Sequence, residues 1–221
     1  MRYYPINLDI LGRRCLVVGG GGVGRRKVGT LLACGAVVTV VSPVVVSELH
    51  ALVDTGDIIW HARGYLTSDL SGMFLVIGAT DDERLNQQIS ADAMDRNMLC
   101  NIADRPAACN FILPSIVHRG DLVLTVSTSG KSPAFAKQLR KELEKQFGEE
   151  YKAFLQLMGT VRDKLLSQAH EPEIHKPLFE KLIHAGLLTL IRNKDTAAIN
   201  RLLLETLGPG YDIDQLVDMD W

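Results

Sequence analysis

Apolar residues in the first half of the chain come in short unbroken runs: Cys15-Leu16-Val17-Val18, Ala36 to Val41, Ile58 to Ala62, Met73 to Ala79 and Met98 to Ile102. Runs without polar alternation mark strands covered on both faces, as in a parallel sheet. Between them the apolar spacing turns helical. Val23 to Cys34 places Val28, Leu31 and Leu32 on one side and stops at Gly35, while Ser47 to Thr55 and Asp82 to Arg96 supply two more helices. Alternating strands and helices predict an α/β unit with a parallel sheet. The pattern then changes. Phe111 to Val117 and Leu122 to Ser127 read as two strands joined by a turn at His118-Arg119-Gly120-Asp121, and a helix follows over Ala134 to Phe147 with Ser132 as N-cap and Pro133 at its first position. Beyond Tyr151 only helical patterns remain: Ala153 to Ser167, Lys176 to Leu188, Asp195 to Leu207 and Ile213 to Val217, with breaks at Pro172, Pro177 and Gly208-Pro209-Gly210. These changes divide the chain into segments 1–110, 111–150 and 151–221.

The first strand passes straight into a glycine cluster. Gly19, Gly21 and Gly24 satisfy G-x-G-x-x-G, where the first glycine permits a tight turn, the second admits a pyrophosphate and the third lets helix pack on strand. Gly22 and Val23 then offer backbone N–H groups at a helix N-terminus, which favours an anion. Arg25-Arg26 stands where a Walker A loop needs Lys-Ser/Thr, so that class is excluded. A glycine turn without ligand would share the pattern; strand, turn and helix in the required order favour binding. After the second strand comes Ser42-Pro43-Val44, where many NAD-binding folds carry an acid for the ribose 2′-hydroxyl. A serine hydroxyl can serve a 2′-hydroxyl or a 2′-phosphate, so NAD and NADP both stay open.

Ligands in open α/β sheets sit at the carboxyl ends of the strands. Thr80 and Asp81 follow the fourth strand there, although Asp81 also suits the N-cap of the next helix. The fifth strand delivers Asp104, a carboxylate placed to accept a proton during hydride removal or to hold a divalent metal; an Asx turn before Pro106 is the plainer reading. Ser127, Thr128, Ser129 and Lys131 lead into the helix at Pro133, forming either a carboxylate cradle or a polar capping loop.

Composition narrows the classes further. With 24 basic and 26 acidic residues and net charge −2, nothing marks a nucleic-acid or anionic-membrane partner. No run is long enough to span a bilayer and no signal-peptide core precedes the first strand, so a cytoplasmic protein is expected. The four cysteines lack C-x-x-C spacing and read as reduced thiols. His170, Glu171, Glu173 and His175 lack ligand spacing, Pro172 interrupting them, and read as a solvated loop; no metal site is expected.

The motifs taken together resemble the siroheme synthase N-terminal family, precorrin-2 dehydrogenases with or without sirohydrochlorin ferrochelatase activity. The resemblance rests on Pro5-Ile6-Asn7-Leu8, the stretch Leu16 to Lys27, Ala79-Thr80-Asp81-Asp82, Cys100 to Asp104, Phe111 to Ser115 and Val126 to Pro133. It covers residues 1–150; the helical remainder matches only in kind. It implies a Rossmann domain, a central dimerisation region of hairpin and helix, and a small helical C-terminal domain. It also implies NAD-dependent oxidation of precorrin-2 to sirohydrochlorin by a homodimer, with Asp104 as general base and Asn101 and Ser127 to Lys131 near the tetrapyrrole. Fe²⁺ would be a second substrate where chelation occurs, one carboxylate serving both steps. Methylation is expected to belong to another protein. The competing class is a non-catalytic NAD-binding sensor, which needs the glycine loop but neither Asp104 nor the Ser127–Lys131 stretch.

Overall fold

The computed structural model describes residues 2–168 and 172–216. The chain divides after Leu113 into two compact units. The first is a parallel sheet of β1 (Arg14–Val18), β2 (Val37–Val41), β3 (Ile58–His61), β4 (Leu75–Gly78) and β5 (Leu99–Ile102), in the order β3-β2-β1-β4-β5. Helices α1 (Gly22–Ala33), α2 (Ser47–Asp54) and α3 (Glu83–Met94) connect the strands, with a 3₁₀ turn at Thr67–Leu70. Successive side chains of a strand face opposite sides, which explains the unbroken apolar runs. Cys15 and Val17 join Val28, Leu31, Val40 and Leu49 in one core layer, whereas Leu16 and Val18 join Val76, Ile89, Ala93 and Ile102 in the other. β1 pairs with β2 on one side and β4 on the other, both parallel, so the strand order reverses beside β1 and opens a crevice at its carboxyl end.

The second unit holds an antiparallel hairpin, β6 (Ser115–Arg119) with β7 (Leu122–Val126), packed by α4 (Pro133–Gln146), and then α5 (Glu150–Ser167), α6 (Pro172–His184), α7 (Leu187–Arg192), α8 (Thr196–Leu207) and α9 (Ile213–Leu216). Its core is helical: Leu157, Val161 and Leu165 on α5 meet Leu182, Leu187, Ile191, Ile199 and Leu203. Arg119, at the end of β6, donates through Nε to the Phe147 carbonyl at 2.9 Å and so satisfies an orphan group at the end of α4.

Several expectations shift. Residues 111–114 are not strand; β6 begins at Ser115 and runs through Arg119, leaving Gly120-Asp121 as the turn, with Gly120 at φ +59°. Asp82, not Asp81, caps α3: its Oδ1 accepts from Arg84 N at 2.9 Å and Leu85 N at 3.1 Å, which are the N2 and N3 amides within reach of an N-cap. Pro177 does not break α6. As the sixth residue of α6 it removes the bond an N–H there would make to the carbonyl of residue 173, and the helix continues past it. The break falls at Gly186, whose φ of +83° no helical residue adopts, so the expected helix 176–188 becomes α6 and α7. His170 and Glu171 lie outside the described residues; Glu173 and His175 belong to α6 rather than to a loop, and His175 is buried. Among the described residues no group of histidines, cysteines and carboxylates could hold a metal ion, and no helix is long and apolar enough to cross a membrane. Val217 also falls outside the description.

The four cysteines are free thiols. Burial pushes the Cys15 and Cys100 thiols up to about 11, and pushes Cys109 up as well, so all three stay protonated near neutral pH. Cys34 alone is exposed. Iodoacetamide at pH 8 therefore adds one adduct to the native chain, at Cys34, and four after denaturation, read by intact mass; rapid labelling at Cys15 or Cys100 in the native chain would contradict this burial.

Candidate functional site

The crevice beside β1 is built from contacts that leave no room for a side chain. Gly19, at φ +116°, would place a Cβ 2.2 Å from the Ala79 carbonyl oxygen, and a Cβ on Gly24 would lie 2.1 Å from the Gly19 carbonyl oxygen. α1 therefore starts directly against the end of β1, and the loop after β4 lies against both. Gly20, outside the fingerprint, is equally constrained, with a Cβ 2.3 Å from Val44 O, and its carbonyl accepts from Val46 N at 2.9 Å. That contact brings the Ser42–Val44 loop to the glycine turn. A Cβ on Gly21 or Gly22 would meet nothing within 4 Å, so this side of the turn is open.

Gly21 is the N-cap of α1 and supplies no side-chain bond, so Gly22 and Val23 keep their amides available at the positive end of the helix. An open backbone surface with uncapped amides fits a pyrophosphate. Ser42 is half-buried, and its hydroxyl donates to Val44 O at 2.7 Å while Trp60 Nε1 donates to its carbonyl at 2.9 Å. Pro43 and Val44 are exposed beside it. Thr80 Oγ1 lies 3.1 Å from Asn86 Oδ1, and Asn86 Nδ2 donates to Thr80 O at 2.9 Å, so the turn after β4 is held from α3. Asp81 is exposed at the tip.

Asp104 stands beside this turn. Ala103 N donates to Gly78 O at 2.8 Å, which carries the end of β5 along β4, and Asp104 follows in the left-handed region at φ +60°, exposed to solvent. Arg105 pairs with Glu83 at the start of α3 at 3.0 Å. Asn101 is buried, donating Nδ2 to Phe111 O at 3.0 Å, so its side chain holds the chain returning past β5. Asn110 completes that return: it donates to Met98 O at 2.7 Å and accepts from Cys100 N at 2.8 Å, supplying the partners that a sixth strand would have given the β5 edge.

Two residues that sequence reasoning missed belong to the same edge. Asn86 holds Thr80, and Lys27 is half-buried on the inner flank of α1, three positions after Gly24. Burial pushes the Lys27 ammonium down, Arg26 adds to this, and Asp104 and Cys109 act in the opposite direction. The spacing of Gly24, Lys27, Val28 and Leu31 along one helix stripe was the available signal.

In the second unit, Ser127 to Lys131 form a tight turn. Ser129 N donates to Ser127 Oγ at 3.2 Å, Ser132 N to Thr128 Oγ1 at 3.1 Å, and Lys131 N to Thr128 O at 3.0 Å, with Ser129 at φ +53° and Gly130 at φ +80°. Two of its hydroxyls thus serve their own loop, and Ser132 caps α4 through Phe135 N at 3.3 Å. The Lys131 side chain is exposed.

Gly24→Ala forces α1 away from β1 and should weaken binding of a nicotinamide dinucleotide by about tenfold or more. Gly29→Ala, with open space at its Cβ, should leave binding unchanged and stabilise the helix by about 0.5–1 kcal/mol. Calorimetric titration with NAD checks both; wild-type affinity in Gly24→Ala would contradict the contact.

Comparison with known proteins follows the same division. Residues 6–115 match the family described as "Putative NAD(P)-binding", and residues 119–146 match "Sirohaem biosynthesis protein central". The chain is 35% identical over 211 residues to a siroheme synthase of Actinobacillus succinogenes and 34% identical over 211 residues to that of Mannheimia succiniciproducens, covering 96% of this chain and 44% of each relative. The chain thus spans less than half the length of these relatives. Among solved structures, SirC, a precorrin-2 dehydrogenase, matches with a TM-score of 0.73 and 28% identity, over 82% of this chain and 89% of that one. An NAD(P)-binding sheet, a sirohaem-type central segment and a shared fold along most of the chain lead to one conclusion: this chain is similar to the N-terminal part of siroheme synthases and to a precorrin-2 dehydrogenase.

Proposed function

We propose that the chain is a precorrin-2 dehydrogenase that uses NAD to oxidise precorrin-2 to sirohydrochlorin. The observation that carries this reading is the shared strand edge: an uncapped helix N-terminus fit for a pyrophosphate, after β1, and an exposed carboxylate, Asp104, after β5, stand at the same carboxyl edge of one sheet with β4 between them. Bound NAD supplies the hydride acceptor. The amides of Gly22 and Val23 hold its pyrophosphate, and the Ser42–Val44 loop, tied to Gly20, borders the adenosine side. Asp104 accepts the proton that leaves the macrocycle as its hydride departs, a role worth about 10²–10⁴ in rate. NAD is favoured over NADP because the Ser42 hydroxyl already serves Val44 O and the nearby Arg25 is drawn toward Glu48, at 3.7 Å. The exposed Ser127–Lys131 turn offers the ammonium of Lys131 to the carboxylates of the tetrapyrrole.

An anaerobic assay with enzymatically generated precorrin-2 and NAD tests this. NADH and sirohydrochlorin should form in equal amounts, and Asp104→Asn should lose about a hundredfold or more in kcat while keeping NAD affinity. NAD binding without turnover would instead indicate a sensor, and a near-normal rate in Asp104→Asn would remove the base. Adding Fe²⁺ to the same reaction reads the second step of siroheme formation, in which the metal is a substrate and Asp104 takes pyrrole protons.

The protein is further proposed to be a cytoplasmic homodimer through its second unit. The hairpin and α4 leave Ile116, Val123 and Phe135 at 40%, 45% and 50% exposure, apolar side chains that a second copy would cover. Sedimentation at micromolar concentration should give the dimer mass, and Phe135→Asp should shift it towards monomer; a wild-type monomer would contradict this part.

A further inference from the structure

The turn that presents Asp104 is held in an unusual way. Ile102 N donates to Cys109 Sγ at 3.1 Å, and the same sulfur lies 3.3 Å from Ile102 O and 3.2 Å from Arg105 O, the two carbonyls between which its single S–H can divide its bonding. Arg105 N closes the turn onto Ile102 O at 3.2 Å. One thiol thus bonds both sides of the loop whose apex is Asp104, and that apex carries a left-handed φ that a non-glycine residue keeps only when its surroundings fix it. Cys109 is buried and protonated, so it acts here as a donor and acceptor and not as a nucleophile.

We propose that Cys109 is a positioning residue for Asp104: the thiol fixes the backbone of the turn that presents the carboxylate. This rests on the reading of Asp104 as the base in precorrin-2 oxidation. Cys109 is not assigned contact with the reacting atoms. Its effect passes through the carboxylate, so it must vanish when the carboxylate is gone.

The test combines kinetics with a readout that needs no turnover. Cys109→Ala should lower kcat about tenfold with KM for NAD within about twofold, and Cys109→Ser should recover most of the loss. In the Asp104→Asn background the same substitution should cost less than about twofold further, because residues acting as one unit are not additive. Independently, the Ile102 amide should exchange faster with solvent in Cys109→Ala. Unchanged kcat in Cys109→Ala, its full loss on top of Asp104→Asn, or an unchanged Ile102 exchange rate would overturn the proposal. If the exchange changes as stated while the wild-type chain fails to oxidise precorrin-2, the thiol's hold on the turn stands and the assigned reaction falls.

Discussion

The contact between Gly24 on α1 and the carbonyl of Gly19 is the constraint from which the rest of the first unit follows. A single methyl group there would stand 2.1 Å from an oxygen, a distance that only displacement of the helix could relieve. Because no side chain intervenes, α1 begins immediately at the end of β1 and its N-terminal amides project over the strand ends. The same closeness brings Ala79 against Gly19 and so sets the loop after β4 beside the helix start. β5 pairs with β4 in register, Gly78 opposite Ile102, and this carries Asp104 to the edge where the helix dipole points. A helix N-terminus, a glycine surface and a carboxylate are thereby gathered by backbone packing.

Much of this was legible beforehand because burial on both faces leaves a mark in sequence. The five apolar runs gave five parallel strands, since Leu16 and Val17 must both be apolar when opposite faces of β1 are covered. The fingerprint glycines were equally plain, since their spacing is itself a motif and Gly24 meets Gly19 only five residues away. Gly20 was not, because its constraint comes from Val44, a partner more than twenty residues away. Asp81 and Asp82 are chemically identical candidates for a cap, and only the direction of the chain leaving β4 decides which one reaches the amides of Arg84 and Leu85.

The supports of the site were the least legible part. Cys109 and Asn110 act on β5 from a segment that folds back alongside it, so their roles depend on a pairing that no periodicity encodes. Asn101, expected near substrate, is buried and bonded to Phe111 O, a contact that no periodicity announces. Lys27 read as one more charge in Arg25-Arg26-Lys27, although its place on the stripe of Gly24, Val28 and Leu31 separates it from its exposed neighbours. In the second unit, the proline at 177 signalled a break that α6 runs through, and Gly186 supplied the real one. Polar residues near a site thus divide into those that face the ligand and those that hold the first group in place, and sequence pattern alone does not separate the two.

The account depends most directly on where NAD lies in this chain, and a crystal structure of the protein soaked with NAD would decide it. The predicted result is a pyrophosphate hydrogen-bonded to the amides of Gly22 and Val23, adenosine beside Ser42 to Val44, and the nicotinamide ring next to the Asp104 turn. A pyrophosphate bound away from α1, or a nicotinamide ring directed towards β3 with Asp104 left in solvent, would contradict the account.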